Sequence, residues 1–240
     1  MSKLQVICIG EALIDKIINK SDSNFRNYLG GAPANVVCAL RKLEVPAAFI
    51  GCLGDDEYGR EFIRLFQQLN INIDFLQIAK QASTRIVKVM RDESGDRSFS
   101  GFEVTKSSSF ADEMLDKLLL NTNIKNLKKL FLNTKYIVTG TNLLAFSQSS
   151  DALYFILDFA KKFKIKIIID VNWREIFWEN SNIDKDAKLK KVKKFLHHAD
   201  ILKLANEEAY LFFNTSDPSE ISKVLIKQPD VIITNGAKPI

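Results

Sequence analysis

Short apolar runs rich in β-forming residues alternate along this chain with longer stretches in which apolar residues recur at helical spacing. That alternation restricts the fold more than any other feature. The runs at 4–9, 47–53, 136–139, 165–169, 199–204 and 231–234 read as strands. Several lack period-two alternation, as strands buried on both faces of a sheet do. Between them, 56–70 places Phe62, Leu65, Phe66 and Leu69 at i, i+3, i+4 and i+7 of a helix. A second helical pattern covers about 147–164, and a third begins at Asp217 with Pro218 in its first turn. Strands alternating with helices imply right-handed βαβ units and an α/β fold, a doubly wound, mostly parallel sheet with helices on both faces. The 240 residues suffice for one such unit over 1–240, and two full domains would be cramped. The one locally biased segment, 121–129, reads as a short Asn/Lys-rich connection.

One region breaks the alternation. Residues 84–90 are β-rich, 92–96 (Asp-Glu-Ser-Gly-Asp) is a turn signal, and 97–102 returns in extended alternation, which together predict a β-hairpin. A hairpin inserted into a βαβ series belongs outside the main sheet, as a lid, an edge or a dimer contact.

Charge and motifs then narrow the chemistry. The net charge of +5 comes from 26 Lys and 8 Arg against 29 acids. Phosphate and base recognition favours Arg, so a Lys-dominated excess argues against a nucleic-acid partner. The densest basic stretch, Lys185 to Lys194, is interleaved with Leu189, Val192, Leu196 and Ala199, the pattern of a helix with one buried stripe and a solvated face. Cys8, Cys38 and Cys52 are odd in number and have no CxxC spacing, which reads as a reduced, cytoplasmic protein. The first ten residues carry no basic region or long hydrophobic stretch, so neither a signal peptide nor a membrane span is expected. His197 and His198 are adjacent and point about 100° apart on a helix, a poor zinc pair. GxGxxG, GxxxxGK[ST] and GxSxG are all absent. Trp173 and Trp178 read as packing residues.

In an open parallel sheet, ligands bind beyond the carboxyl ends of the strands. Those ends run into Gly10, Glu11 and Asp15; Gly54, Asp55 and Asp56; Gly140, Thr141 and Asn142; Asp170, Asn172 and Arg174; Asn206, Glu207 and Glu208; and Thr234, Asn235 and Gly236. Any one of these ends is ordinary turn chemistry, but their recurrence suits a polyhydroxylated ligand together with a phosphate-bearing one. Gly30-Gly-Ala-Pro-Ala-Asn35 opens a helix over 35–43, with glycines that permit close backbone approach and Asn35 in the first turn.

Taken together, these segments resemble the PfkB (ribokinase-like) carbohydrate kinases, most closely the fructokinase branch, along the whole chain. The resemblance is carried by Gly10-Glu-Ala-Leu-Ile-Asp15, Gly30 to Asn35, Gly51-Cys-Leu-Gly-Asp-Asp56 with Gly59, the hairpin of 84–102, Asp170-Val-Asn-Trp-Arg174 followed by Trp178, Lys203-Leu-Ala-Asn-Glu-Glu208, and Thr234-Asn-Gly-Ala237. It implies ATP- and Mg2+-dependent phosphorylation of a small-molecule sugar, most closely fructose, with ribose, 2-keto-3-deoxygluconate or another ketose as alternatives. It also implies that Asp15, Gly30, Gly31 and Asn35 hold sugar hydroxyls, and that the hairpin, with Arg97 and Phe99, closes over the sugar together with strands around 12–29. Asn172 and Arg174 would face the junction of sugar and phosphate. Lys203, Thr234 and Gly236 would face the nucleotide, and Glu208 would organise magnesium through water. A homodimer through the β lid belongs to the same expectation.

Two departures qualify it. Ala205 stands where many relatives have Asn or Ser before the glutamate of the metal network. The family's catalytic Asp and anion hole lie in a later Asp-Thr-x-Gly-Ala-Gly-Asp segment, and residues 1–240 contain no such segment. No catalytic base is therefore assigned within the chain, and the base is expected beyond Ile240. A general base is worth roughly 10² to 10⁴ in rate and an oxyanion donor roughly 10² to 10³, so the chain as it stands is expected to be inactive. The rival reading is a sugar-binding pseudokinase. A sheet that stops after Thr234 would also leave an open edge, which predicts association or marginal solubility.

Overall fold

The elements that form are those the alternation demands, with two exceptions. The computed structural model describes residues 4–19, 25–91, 97–103, 109–179 and 184–236. In chain order, β1 is Val6–Ile9, β2 Leu13–Asn19, β3 Phe25–Gly30, α1 Ala32–Lys42, β4 Ala47–Ile50, β5 Cys52–Gly54, α2 Glu57–Gln68 and β6 Gln77–Ala79. Then come β7 Ile86–Arg91, β8 Arg97–Phe102, α3 Lys117–Thr122, α4 Ile124–Leu132, β9 Tyr136–Thr139, α5 Ser147–Lys162 and β10 Lys166–Asp170. The last are α6 Lys185–Leu196, β11 Ile201–Ala205, α7 Asn206–Phe213, α8 Pro218–Val224 and β12 Asp230–Thr234.

The main sheet has the order β12-β11-β10-β9-β1-β4, and every pairing in it is parallel. Alternate residues of β1 enter different cores: Ile7 and Ile9 pack with Ile137 and Leu153, whereas Val6 and Cys8 pack with Val37, Phe49, Phe62 and Phe66. Both faces are apolar, so no period of two survives in the sequence of this strand. From β1 the chain goes to β4 on one side, then crosses to β9 on the other and continues outward. The strand order thus reverses at β1, and the carboxyl ends of β1 and β9 flank a crevice.

Strands β3-β2-β7-β8 form a separate four-stranded sheet, the expected lid, with β2 parallel to β7 and the two outer pairs antiparallel. The expected turn at 92–96 lies outside the described residues. The lid is rooted by Asp56 and by the ion pairs of Arg85. Asp56, the N-cap of α2, accepts from Gly59 N (2.8 Å), Thr84 N (2.7 Å) and Thr84 Oγ1 (2.9 Å). Arg85, 2% exposed, donates Nε and Nη2 to Asp112 (2.8 and 2.9 Å) and Nη2 to Glu113 (2.8 Å). The rings of Phe110, Phe102, Phe177 and Phe146 surround this guanidinium at 4.1 to 5.5 Å.

Two sequence readings are corrected. The run 47–53 is not one strand: β4 belongs to the main sheet, while β5 pairs with β6 in a two-stranded sheet. Both pieces are buried, and an apolar run reports burial rather than sheet membership. Segment 121–129 is not a connection but parts of α3 and α4, whose Leu120, Leu127 and Phe131 are buried beneath exposed Lys125, Lys128 and Lys129. The Lys-rich helix α6 does bury Val192, Phe195 and Leu196, but Lys191 leaves the solvated face to donate to Leu144 O (2.7 Å). Among the described residues, no helix is long and apolar enough to cross a membrane.

Candidate active site

The reversal at β1 places two chain turns side by side. After β1, Glu11 is buried and its Oε1 accepts from Ala32 N (3.2 Å), the first residue of α1. The N-cap of that helix, Gly31, has φ 96, and a Cβ there would lie 2.6 Å from Glu11 O, so the close crossing of these segments requires glycine. Glu11 supplies the acceptor that a Gly cap lacks. After β9, Thr141 Oγ1 donates to Val171 O (2.7 Å), tying this turn to the end of β10. Asn142 follows, buried, and its Oδ1 has no hydrogen-bond partner among the described residues.

Around this crossing lies a cleft of about 230 Å3. Asp15, Gly31, Asn35, Phe99, Asn172 and Arg174, six of the residues singled out from the sequence, line it together. Asn172 has φ 42, a left-handed backbone that Asn tolerates better than most residues, as the chain turns from β10 towards Arg174. Arg174 Nη1 donates to Trp173 O (3.1 Å), and its guanidinium lies 5.0 Å from the ring centre of Phe99, so a lid residue meets the sheet rim here. Gly30 does not line the cleft. A Cβ at Gly30 would collide with the Asp15 carboxylate, so its contribution is the space that Asp15 occupies. Arg97 begins β8, but its side chain lies outside the described residues.

The remaining sequence-derived residues gather elsewhere on the same rim. Lys203 Nζ donates to both oxygens of Asp170 (2.9 and 3.1 Å), and Thr234 Oγ1 donates to Leu204 O (3.4 Å). Gly236, with φ 56, turns the chain beyond β12. The four residues after it, Ala237 to Ile240, lie outside the described residues. A base beyond Ile240 lies outside the described residues, and the carboxylates that line the cleft among the described residues are Glu11 and Asp15. Glu208 accepts from Trp173 N through Oε1 (2.6 Å) and from Ala205 N through Oε2 (2.7 Å), clamping the turn after β10 to the start of α7. Burial raises its pKa, against the lowering effect of these two N-H groups. Trp178 is buried against Trp173 (5.2 Å), as packing residues.

Among the residues that sequence reasoning named at strand ends without a role are Glu11 and Asn142. Both line the cleft, and burial pushes the Glu11 carboxyl up to about 7, with Asp112 nearby adding to the rise. The signal available was a carboxylate and an amide directly beyond apolar strands. Leu13, Val87 and Phe177 supply apolar wall and had no signal apart from their elements.

The cleft brings together carboxylates and amides that bind hydroxyls, beside apolar surface and one guanidinium. A pfkB family carbohydrate kinase model matches residues 3–240. A fructokinase of Vibrio alginolyticus is 28% identical over 238 residues, covering 98% of this chain and 72% of the relative. An ATP-dependent 6-phosphofructokinase of Thermoanaerobacterium thermosaccharolyticum is 22% identical, with coverages of 99% and 73%. Among solved structures, fructokinase with bound ATP from Xylella fastidiosa superposes with a TM-score of 0.79 at 24% identity, covering 99% of this chain and 70% of that one. The ribokinase-like architecture, the cleft at the strand-order reversal and a family match over nearly the whole chain agree, and this chain belongs to the pfkB family of carbohydrate kinases.

Proposed function

We propose that the cleft binds a neutral ketose, fructose foremost, and that the activity of this fold is ATP-dependent phosphorylation of a sugar hydroxyl. The observation that carries this reading is the convergence of Asp15, Asn35, Asn172 and Arg174 in one small cleft. Asp15 accepts from sugar hydroxyls, the two amides both donate and accept, and Phe99 on the lid covers an apolar sugar face. Among the described residues Arg174 is the one cation lining the cleft, and it faces the transferring phosphoryl group. The names of the fructokinase relatives support the choice of sugar.

Lys203, Thr234 and Gly236 form the nucleotide side. Lys203 shares Asp170 until a phosphate competes for it. Among the described residues no group of three or more His, Cys, Asp or Glu could hold a metal ion directly. That fits Mg2+ arriving on nucleotide phosphates with most of its water retained, and Glu208 would contact that water. Both Glu208 oxygens already accept backbone N-H groups, and each retains a further lone pair for this purpose. Bound Mg2+ would supply charge neutralisation on the phosphates.

Because the sequence contains no Asp-Thr-x-Gly-Ala-Gly-Asp segment, the 240-residue polypeptide is expected to bind sugar without turning it over. Calorimetric titration with fructose, ribose and 2-keto-3-deoxygluconate, alongside a coupled ADP-release assay, tests both parts. Fructose binding without ADP release is the expected result. Failure to bind any of the three sugars refutes the sugar assignment, and rapid turnover refutes the inactivity.

A further inference from the structure

Glu11 and Asn142 are the most deeply buried polar side chains of the cleft, at 2% and 5% exposure. They follow adjacent strands, since β1 and β9 pair with Ile9 opposite Thr139. Glu11 Oε1 accepts from Ala32 N, and the Asn142 side chain lies close enough to Glu11 to favour its charged form. Asn142 keeps a buried Oδ1 that has no partner among the described residues. A buried acceptor left unpaired is costly, and native proteins retain few of them. Capping of α1 accounts for Glu11 but not for an unmatched amide oxygen in a residue that lines the cleft.

We infer that Glu11 and Asn142 form a specificity element, in which Glu11 fixes the Asn142 amide so that its oxygen accepts a hydrogen bond from one substrate hydroxyl. This rests on the sugar-binding reading above and sharpens it. The subsite demands a donor, so a hydroxyl fits where a fluorine, an ether oxygen or a hydrogen does not. Glu11 is the positioning residue and Asn142 the reader. Asp112, the nearby carboxylate, is ion-paired with Arg85.

The test is calorimetric titration of the wild type, Asn142→Ala and Glu11→Gln with fructose and its monodeoxy and monodeoxyfluoro analogues, with thermal melts of all three proteins. The wild type is expected to bind the analogues altered at one particular position about tenfold to a hundredfold more weakly than fructose. Asn142→Ala is expected to lose the same factor for fructose and to stop distinguishing those analogues from it. In Glu11→Gln the new amide N-H turns to Asn142 Oδ1 while the amide oxygen keeps Ala32 N. That variant should therefore melt higher yet bind fructose more weakly, a pairing that simple loosening of the fold does not produce. Variants that keep the wild-type affinity and analogue pattern overturn the inference, as does an equal loss for every ligand. If Asn142→Ala does not fold, Glu11→Gln decides alone. A wild type that binds no sugar refutes the sugar reading itself, whereas sugar binding indifferent to both substitutions refutes only the specificity element.

Discussion

Asp15 owes its place in the cleft to a neighbour without a side chain. In the β2/β3 pairing Leu13 stands opposite Gly30, and a Cβ on Gly30 would occupy the carboxylate's position. Gly30→Ala should therefore act through Asp15. Both Gly30→Ala and Asp15→Asn are expected to weaken fructose binding about tenfold to a hundredfold, the worth of a charge-assisted hydrogen bond. Calorimetry checks this, and unchanged affinity in either variant contradicts it. Glu11 makes a prediction about pH. Its folded pKa of about 7 lies above the 4.5 of an ordinary glutamate, chiefly through burial. The folded state thus holds the proton more tightly than the unfolded one. The stability linked to that proton is complete below about pH 4.5 and is lost as pH rises through about 7, a span on the order of 3 kcal/mol. Glu11→Gln cannot lose it, so its melting temperature should gain on the wild type between pH 5 and pH 8; a constant difference over that range counts against the shift. Asp15 and Asn35 were legible in the sequence because each sits in a recognisable motif. Glu11, in the same motif as Asp15, and Asn142 were legible only as strand-end residues without a role, because caps and ligands share residue types and only burial separates them.

At the level of elements, the lid is held at its base by Arg85. Its guanidinium joins the residue before β7 to Asp112 and Glu113, and it contacts Phe102 at the end of β8 as well as Phe177 in the cleft wall. Arg85→Met leaves Asp112 buried without its partner, and breaking a buried pair in this way costs about 3 to 5 kcal/mol. Adding Asp112→Leu removes the stranded charge and should restore much of the loss in urea denaturation; a double variant as unstable as the single one would contradict the stranded-charge account. The hairpin was legible from alternation on either side of its turn, whereas the clamp was not, since a lone Arg in a β-rich run gives no sign of the carboxylates 27 and 28 residues away that neutralise it. Helices α3 and α4 were hidden for a related reason. Leu118, Leu119 and Leu132 are exposed beside the Asn and Lys residues, so leucines fall on both faces and blur the helical period.

For the whole molecule, the two edges of the main sheet are managed differently. β4 is covered, because Asn72 pairs with its outer side through Phe49 N to Asn72 O (2.9 Å) and Asn72 N to Ala47 O (3.1 Å). Among the described residues β12 pairs with β11 alone, and Ile226 and Ile232 near this edge are 80% and 41% exposed. An unpaired strand beside exposed apolar side chains is a template for association. The lid offers a second surface, with Phe25 and Tyr28 exposed on β3. These surfaces lie on different sheets, so substitution can separate them. The 240-residue polypeptide is expected to show a mass that rises with concentration in light scattering. Ile232→Lys should suppress this if the sheet edge is the contact, and Phe25→Lys if the lid forms a dimer. Both strands are edges with unpaired backbone groups, β12 pairing with β11 alone and β3 with β2 alone among the described residues, so the two substitutions decide which of them associates. A monomer at every concentration tested would exclude both contacts. Suppression by Phe25→Lys alone would move the interface to the lid, beside the cleft that Phe99 covers.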